Sequence, residues 1–329
     1  MTPEGIPSPP SSWRSFNLGA WLRDVGLDWF GLNLTINAYA VFILVGIGVA
    51  LWLTNRRLVA RGVEPWLVLD IALWAVPFGI LGGRFYHVAT HPADYFYEGA
   101  NLLRIFYVWE GGLAILGAIS LGAVGAYIGV RSAGLRFSAF ADALAPGLLL
   151  AQGIGRTGNY FNQELFGAPT ALPWGLQIDR PNPAIPVGLP DTTLFHPTFA
   201  YEMAWNILGA LVLIWVGRRL SLQWGRVFAL YLVWYGIGRA FLETIRLDPA
   251  ELILGVRVNI WGALAAIALG IILYLRQGFR HPGSEPSPYL PGRQWEPDSE
   301  VDSSDDYYSV DDIVGEMDTS AGSQRPTTS

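Results

Sequence analysis

The sequence predicts an all-α polytopic membrane protein with about seven transmembrane helices, a small extracytoplasmic head and a disordered cytoplasmic tail. Of its 329 residues 52% are apolar and only 15% are charged, which is outside the usual composition of soluble domains. Seven apolar stretches each approach the roughly 20 residues that a helix needs to cross a bilayer. The last stretch of the chain is instead rich in Pro, Ser, Asp and Glu with few aliphatic residues, a composition typical of disorder.

The N-terminal segment, residues 1–35, is expected to lie on the outer surface of the membrane. It has no basic region ahead of an apolar core, so we expect no cleaved signal peptide. Aromatic residues such as Trp13 and Trp29 alternate with charged ones such as Arg14 and Arg23, as in interfacial segments.

A transmembrane domain is predicted over residues 36–280. Its spans are expected near residues 39–54, 66–88, 111–130, 137–155, 197–217, 227–245 and 258–275. The longest connection, 159–195, carries six prolines and several aromatic residues, so we expect a small structured head with a short strand near 174–179.

The arginines predict the orientation, since basic residues collect at the cytoplasmic ends of spans. With seven spans, one side of the membrane receives a common set of them: Arg56, Arg57, Arg61, Arg131, Arg136, Arg218, Arg219, Arg226, Arg276 and Arg280. The N-terminus is then outside, and the acidic tail, residues 281–329, is in the cytoplasm. That tail has 11 acidic residues and two arginines, so the membrane body itself is mildly basic.

Missing residue types exclude several kinds of chemistry. The chain has no Cys and all 21 of its basic residues are Arg, so a catalytic thiol, a thiolate metal site, a disulfide and a lysine Schiff base are excluded. The sequence contains neither a Gly-x-Ser-x-Gly elbow with an accompanying triad nor an HExxH motif.

The densest polar stretch, GIGRTGNYFNQELFG over 153–167, follows a long apolar run. Five polar side chains fall within nine of its residues: Arg156, Asn159, Asn162, Gln163 and Glu164. Such groups at the edge of a membrane helix are costly unless they have partners or a task. A polar helix end that reaches water is the alternative, and five polar residues among glycines favour a functional site.

The sixth span carries a second polar feature. Tyr235, Arg239, Glu243 and Arg246 are spaced by four, four and three residues, which places them on one helical face. We interpret this stripe as one wall of a wet cavity, since a structural seam would need only one ion pair.

Arginines at the outer ends of spans must meet an anion. Arg84, Arg156, Arg239 and Arg246 occupy such positions, and their partner could be a carboxylate or a lipid phosphate. The candidate carboxylates are Glu164, Glu202 and Glu243. Purely structural ion pairing is the alternative for any one of these arginines.

Histidines are the first candidates for a proton acceptor. His196 precedes Pro197 at the mouth of the fifth span, and His87 and His91 form an i, i+4 pair at the end of the second. Zinc is not expected, because no third ligand is near. A structural role remains an alternative for each histidine. Tyr39 either belongs to an interfacial belt or reaches the cavity.

From the residues alone, the function is an enzyme acting on phospholipid headgroups or a carrier of an anionic solute. A carrier predicts inverted repeats and broken spans, which the sequence does not show. A scaffold with fully ion-paired arginines predicts that Arg156→Ala harms folding rather than activity.

Five motifs carry a resemblance to one family. The chain contains G-R-x-G-N-x-x-N-x-E-x-x-G from Gly155 to Gly167, GGRFYHV over 82–88, EGGLAILGA over 110–118, HPTFAYE over 196–202 and YGIGRAFLETIR over 235–246. Their order and spacing resemble the bacterial prolipoprotein diacylglyceryl transferases over about residues 30–280. The resemblance implies transfer of a diacylglyceryl group from phosphatidylglycerol to the lipobox cysteine of a prolipoprotein, with release of glycerol phosphate. The implied partners are these two substrates and the bacterial cytoplasmic membrane, with no nucleic acid, metal or cofactor.

The resemblance also suggests residue roles. Arg156 and Arg239 would clamp the phosphate, Asn159 and Asn162 would orient the headgroup, and Glu164 and Glu243 would hold the arginines. Catalytic roles are expected for Arg239, Arg156, His196, Tyr235 and Glu243. Substrate binding is expected for Arg156, Asn159, Asn162, Glu164, Gly167, Tyr39, Arg84, Glu202 and Arg246.

One departure from the family affects the base. Many members carry a histidine in the third-span motif, where this chain has Leu116. The thiol base is then expected to be His196, His87, Tyr235 or a carboxylate, with His196 favoured. A catalytically inactive family member is the remaining alternative, with Leu116 as its only argument.

Overall fold

The computed structural model describes residues 5–26, 35–108 and 111–296. The chain divides into two compact units, Met1–Gln294 and Trp295–Ser329, and the described part of the second is limited to Trp295 and Glu296. The predicted interfacial residue Trp29 lies outside the described residues.

Helices dominate the first unit. A short helix α1 (Leu18–Asp24) is followed by seven longer ones: α2 (Ala38–Val59), α3 (Leu67–Thr90), α4 (Ile115–Ser132), α5 (Phe137–Asn162), α6 (Thr198–Arg219), α7 (Arg226–Glu243) and α8 (Val258–Arg280). Six of these seven are long and apolar enough to cross a membrane, which confirms a polytopic membrane protein. The exception, α7, is the helix that carries the predicted polar stripe.

Three helix ends differ from the predictions. Helix α5 continues past Gly155 to Asn162, so the first half of the polar stretch is helical. Helix α4 begins at Ile115 instead of residue 111, because Gly111 and Gly112 have positive φ angles that an α-helix cannot contain. Helix α7 ends at Glu243, so Arg246 lies beyond the helix and the polar stripe is shorter than predicted.

Helix α5 is the central element and packs against α2, α6 and α7. Small residues permit its close approach to α2: a Cβ on Gly46 would lie 2.9 Å from the carbonyl oxygen of Ala151. Gly147 has the same relation to Ala50, at 3.0 Å. Close helix contacts through small residues are the usual means of packing in membranes. Because α5 is held on both sides, the polar groups at its end have fixed positions.

The predicted head forms a small apolar core above this end of the bundle. Strands β3 (Pro169–Thr170) and β4 (Leu194–Phe195) pair antiparallel. The expected strand at 174–179 is wrong, since only Leu176 pairs there, through isolated bridges to Ile6 and Phe195. The head core consists of Phe166, Leu176, Ile178, Ile185 and Phe195.

The N-terminal segment is attached to the head by polar contacts. The Ser8 hydroxyl donates to Asp179 at 2.5 Å, and Arg14 lies 3.3 Å from the same carboxylate. Gln163 donates to Asp179 at 2.8 Å. Two further short pairings, β1 (Ser15–Asn17) with β2 (Thr35–Asn37) and β5 (Leu252–Ile253) with β6 (Val256–Arg257), complete the strands of the described residues.

At the opposite end of the bundle, the predicted disorder from His281 onward is wrong for the first residues. Glu285 is 7% exposed, and it accepts from Arg61 at 2.5 Å and from Ser138 at 2.8 Å. Tyr289 is 4% exposed within an apolar cluster. The few apolar and acidic residues here suffice for docking because their partners are already in place on the helix ends. Residues 297–329 lie outside the described residues.

Candidate active site

A cavity of about 270 Å³ opens between α2, α4, α5, α6 and α7 at the end of the bundle nearest the head. Its walls combine charged, polar and apolar side chains from all five helices: Tyr39, Ile43, Ile115, Ile119, Ala151, Gln152, Gly155, Arg156, Asn159, Glu202, Trp205, Asn206, Tyr235, Gly238, Arg239 and Leu242. We call it the central cavity. It brings together six of the predicted site residues: Tyr39, Arg156, Asn159, Glu202, Tyr235 and Arg239.

Arg156 projects from α5 into the central cavity and is oriented by two neighbours. Its Nε lies 2.5 Å from an oxygen of Glu202 on α6, and its Nη1 donates to the Asn159 side chain at 3.2 Å. A guanidinium carries five N–H donors, so these contacts leave several of them unused. The side chain is therefore fixed in position and still able to bind an anion.

Arg239 enters the same cavity from α7 with fewer attachments. Its Nη2 lies 3.0 Å from Glu243 Oε2, yet that oxygen has no hydrogen-bond partner, so the contact is an ion pair without hydrogen-bond geometry. Among the described residues, no side chain or carbonyl accepts a hydrogen bond from Arg239. Its donors are consequently free to point at a ligand.

On the side of Arg239 away from the cavity, arginine and carboxylate side chains form a buried network of ion pairs. Glu243 is fully buried and accepts from Arg257 at 2.8 Å and from Asn259 at 2.9 Å. Arg246 lies 2.7 Å from Asp248 and 3.8 Å from Glu202. Removing one member of a buried pair leaves an uncompensated charge, which commonly costs about 3–5 kcal/mol. The network therefore supports the cavity arginines from behind.

The predicted roles of Glu164 and Arg246 need correction. Glu164 accepts from Asn159 at 2.8 Å and from Asn162 at 3.1 Å, so it positions the two amides instead of an arginine. Glu202 is the carboxylate that holds Arg156. Arg246 does not line the central cavity, since its guanidinium is used in the network behind it.

Gly158 and Gly167 are required by close packing. A Cβ on Gly158 would lie 2.4 Å from the Tyr39 ring, so this glycine lets the tyrosine lie against α5. A Cβ on Gly167 would lie 2.8 Å from Cβ of His196, and Gly167 forms a β-bridge with Arg246. Gly167 does not line the central cavity, and its expected substrate contact stays a prediction.

Arg84 lies in a different place from the other arginines. It is 6% exposed and borders a second cavity of about 360 Å³ together with His87 and Asp94. All three of its guanidinium nitrogens donate to carbonyl oxygens, those of Arg104, Ile105, Gly111 and Gly112. Among the described residues Arg84 is therefore paired with backbone oxygens instead of a carboxylate, and its contact with a lipid phosphate stays a prediction.

None of the histidines lines the central cavity. His196 Nδ1 lies 3.2 Å from the Tyr201 hydroxyl, beside the head. The rings of His87 and His91 stack at 4.5 Å near Arg84. Leu116, which stands at the family histidine position, is 59% exposed, and its neighbours Ile115 and Ile119 line the cavity in its place. Among the described residues, no three His, Asp or Glu side chains converge on a possible metal position.

Sequence reasoning missed Gln152, Asn206 and Arg257. Gln152 and Asn206 lie one helical turn from Arg156 and Glu202, a four-residue spacing that is visible in the sequence once both helices are known to face one cavity. Arg257 precedes α8 in an otherwise apolar region, and only the fold brings it to Glu243.

Comparisons with known proteins identify the family of this chain. A sequence model described as "Prolipoprotein diacylglyceryl transferase" matches residues 29–276. The chain is 56% identical over 306 residues to a phosphatidylglycerol–prolipoprotein diacylglyceryl transferase of Leifsonia xyli subsp. xyli, covering 91% of this chain and 88% of the relative. It is 50% identical over 250 residues to the second such enzyme of Streptomyces coelicolor, with 76% and 78% covered. It is 46% identical over 279 residues to the one of Rhodococcus jostii, with 82% and 74% covered.

The family match covers well over half of the chain, and each of these relatives matches over more than two thirds of it. The chain belongs to the prolipoprotein diacylglyceryl transferase family.

Proposed function

We propose that this protein transfers the diacylglyceryl group of phosphatidylglycerol to the lipobox cysteine of prolipoproteins, the first step of lipoprotein maturation. The observation that carries the proposal is the central cavity with two arginines, Arg156 and Arg239, whose donors are partly free. The names of the relatives indicate the same substrates and the same reaction.

The reaction needs stabilisation of a departing phosphate. The cysteine sulfur attacks the glyceryl carbon, an S–C bond forms, and the bond between that carbon and the phosphate oxygen breaks. A thioether and glycerol phosphate result, and the leaving phosphate gains negative charge. Arg156 and Arg239 approach the cavity from two helices, so they can clamp this group, and a donor aimed at developing charge is typically worth 10²–10³-fold in rate.

The remaining site residues hold the two arginines or the lipid headgroup in position. Glu202 fixes Arg156, and Glu243 fixes the position of Arg239 on its helix. The amides of Asn159 and Asn162, braced by Glu164, orient the headgroup hydroxyls or the phosphate. Tyr39 closes the cavity wall on the side of α2.

The thiol proton needs no histidine in this arrangement. A thiol beside cationic side chains has a lowered pKa, so the two arginines favour the thiolate that attacks. The proton is then released to water or to the phosphate product. His196, the favoured base from the sequence, acts as a support of the head through Tyr201.

The size of the cavity fits the polar part of the lipid. At about 270 Å³ it is below the ~300–1,000 Å³ of sites that enclose drug-sized ligands, so it can take a headgroup and glyceryl region. The acyl chains would extend past Ile43, Ile115 and Ile119 into the membrane.

The topology that suits this function has seven spans, including the more polar α7. The head and N-terminus face outward, where prolipoproteins are exported, and the arginine-rich helix ends face the cytoplasm together with the C-terminal tail. The layout comprises an N-terminal segment (1–35), a catalytic membrane domain (36–280) with the head at 159–195, and a tail (281–329) whose first residues dock on the helix ends. Protease cleavage of the tail in intact spheroplasts would contradict this orientation.

The function is tested by a transfer assay with purified protein. Phosphatidylglycerol with labelled acyl chains is incubated with a lipobox peptide and with the matched peptide in which Ser replaces the cysteine. We expect label on the cysteine peptide alone and release of glycerol phosphate in equal amount. A folded protein that binds the lipid and labels neither peptide would show that the cavity serves binding only.

A further inference from the structure

One turn deeper than the charged side chains, the central cavity has a ring of uncharged polar ones. Gln152 precedes Arg156 by four residues on α5, Asn206 follows Glu202 by four on α6, and Tyr235 precedes Arg239 by four on α7. We call Gln152, Asn206 and Tyr235 the neutral layer.

The three residues of the neutral layer lie at a similar depth in the bundle, because the directions of α5, α6 and α7 place all of them on the same side of the charged residues. Helices α5 and α7 run toward the head, and α6 runs away from it, so all three four-residue offsets point the same way. Four residues of α-helix rise about 6 Å. The neutral layer therefore lies about 6 Å farther from the head than the charged groups.

Polar groups of the neutral layer lack protein partners. Asn206 is 7% exposed, and its side-chain amide has no hydrogen-bond partner among the described residues. The same is true of the Tyr235 hydroxyl. Gln152 donates to the Tyr231 hydroxyl at 2.9 Å, which leaves its buried Oε1 unpaired. Gln152 Oε1 is buried away from the cavity surface, whereas the unpaired amide of Asn206 and hydroxyl of Tyr235 remain accessible from the cavity, where they can bind a polar ligand.

The chemistry of the layer complements one part of the lipid. Below its phosphate, a diacylglyceryl lipid presents the oxygens of two esters, which accept hydrogen bonds and donate none. Asn206 offers two N–H donors and Tyr235 one O–H donor. With increasing depth, the cavity presents cationic donors and then neutral donors. The lipid presents its phosphate and then its ester carbonyls in the same order.

We propose that Asn206 and Tyr235 hydrogen-bond the ester carbonyls of the lipid substrate and make the enzyme selective for diacyl over dialkyl-ether glycerophospholipids. The inference rests on the proposed function, and it adds the recognition of the glyceryl esters to that of the phosphate. Asn206 is the principal donor, since its amide offers two N–H groups where Tyr235 offers one O–H. Gln152 supports the adjacent part of the cavity wall through its hydrogen bond to Tyr231.

Selectivity is measured in a competition between two lipids. Wild-type protein and a lipobox peptide are incubated with equal amounts of diacyl phosphatidylglycerol and its dialkyl-ether analogue, which have the same headgroup. The two lipidated peptides are separated by mass. A hydrogen bond is worth about 1–1.5 kcal/mol, so we expect the ester product to exceed the ether product about tenfold.

Two variants and one control complete the test. Asn206→Leu keeps the side-chain size and removes the donors, and Tyr235→Phe removes one hydroxyl. We expect each to lower the ester-to-ether ratio at least about threefold, by stronger loss of the ester reaction. Gly262→Ala on α8, where an added Cβ meets nothing within 4 Å, is the control and leaves the ratio as in wild type.

A wild-type ratio near one, or a ratio that both variants leave unchanged, would overturn the inference. Should Asn206→Leu fail to fold, wild type and Tyr235→Phe decide. A wild type that transfers neither lipid refutes the proposed function instead, and the ratio of the two lipids bound in native mass spectrometry then tests the inference separately.

Discussion

Two arginines, Arg84 and Arg239, show what distinguishes a site from a structural support. Arg84 is 6% exposed, and every nitrogen of its guanidinium donates to a backbone carbonyl. Arg239 borders the central cavity, and among the described residues it has an ion-pair contact but no hydrogen bond. The sequence presents both in the same way, as an arginine in the outer half of a span. The difference lies in whether the surrounding backbone satisfies the donors, and only the fold determines that.

The largest effect is expected from removing the free arginine. Arg239→Ala should lower diacylglyceryl transfer about 10²–10³-fold while the protein remains folded, because the lost donors act on the transition state. Initial rates with labelled phosphatidylglycerol measure this loss. Arg276→Ala, at an exposed arginine on the opposite end of the bundle, serves as the control and keeps the wild-type rate. Equal rates for both variants would remove Arg239 from the clamp.

Arg84→Ala should act on stability instead. It removes the donor to the carbonyl oxygens of Ile105, Gly111 and Gly112, at about 1–3 kcal/mol for each group left unsatisfied. We expect the unfolding midpoint in detergent to fall by several degrees and the rate per folded molecule to stay close to that of wild type. A full loss of transfer at unchanged stability would mean that Arg84 contacts substrate.

A smaller effect is expected from crowding the wall of the cavity. Gly158→Ala would place a Cβ 2.4 Å from the Tyr39 ring, so α2 or the tyrosine must move. Because small displacements in a site reduce rates strongly, we expect transfer to fall about tenfold or more. Gly48→Ala, on α2 where an added Cβ meets nothing within 4 Å, is the matched control. If both alanine variants retain the wild-type rate, the position of Tyr39 is unimportant.

The smallest effect concerns the attachment of the N-terminal segment. Hydrogen bonds from Ser8 and then Gln163 lower the pKa of Asp179 below its usual value, with a further contribution from Arg14. A carboxyl with a lowered folded-state pKa contributes stability above its ordinary pKa and loses it as the pH falls through the lowered value. Limited proteolysis should therefore cut the segment faster at about pH 3 than at neutral pH. In Asp179→Asn this acid dependence should be reduced, and an unchanged pH profile would argue against the contact.

Much of the membrane body could be predicted from the sequence, since hydropathy and terminal arginines mark spans. Six helices are long and apolar enough to cross a membrane. Helix α7 is more polar, since Arg226, Arg239 and Glu243 lie within its 18 residues. The sequence marks the polar residues of 153–167 and of α7 as site candidates, because burying polar groups in a membrane costs free energy. It does not reveal which residues pair with them, because pairs such as Arg156 with Glu202 join different helices.

Several side chains have partners that their sequence context does not reveal. Arg84 and His196 satisfy the same sequence criteria as cavity residues, but local backbone and Tyr201 supply their partners. Glu285 and Tyr289 lie in a segment with the composition of disorder, and docking on preformed helix ends orders them. Asn206 is a single amide in an apolar span, so no sequence pattern marks it as a site residue.

The most direct test of the central claim compares how phosphatidylglycerol stabilises Arg239→Ala and Arg84→Ala. A ligand that binds only the folded state raises the unfolding midpoint in proportion to its affinity and concentration. In Arg239→Ala the buried Glu243 keeps Arg257 and Asn259 as partners, so we predict an unfolding midpoint close to that of wild type without lipid and the loss of most of the lipid-induced shift. Arg84→Ala should unfold earlier and keep the full shift. A full shift in Arg239→Ala together with a lost shift in Arg84→Ala would place the phosphate at Arg84 and contradict the account.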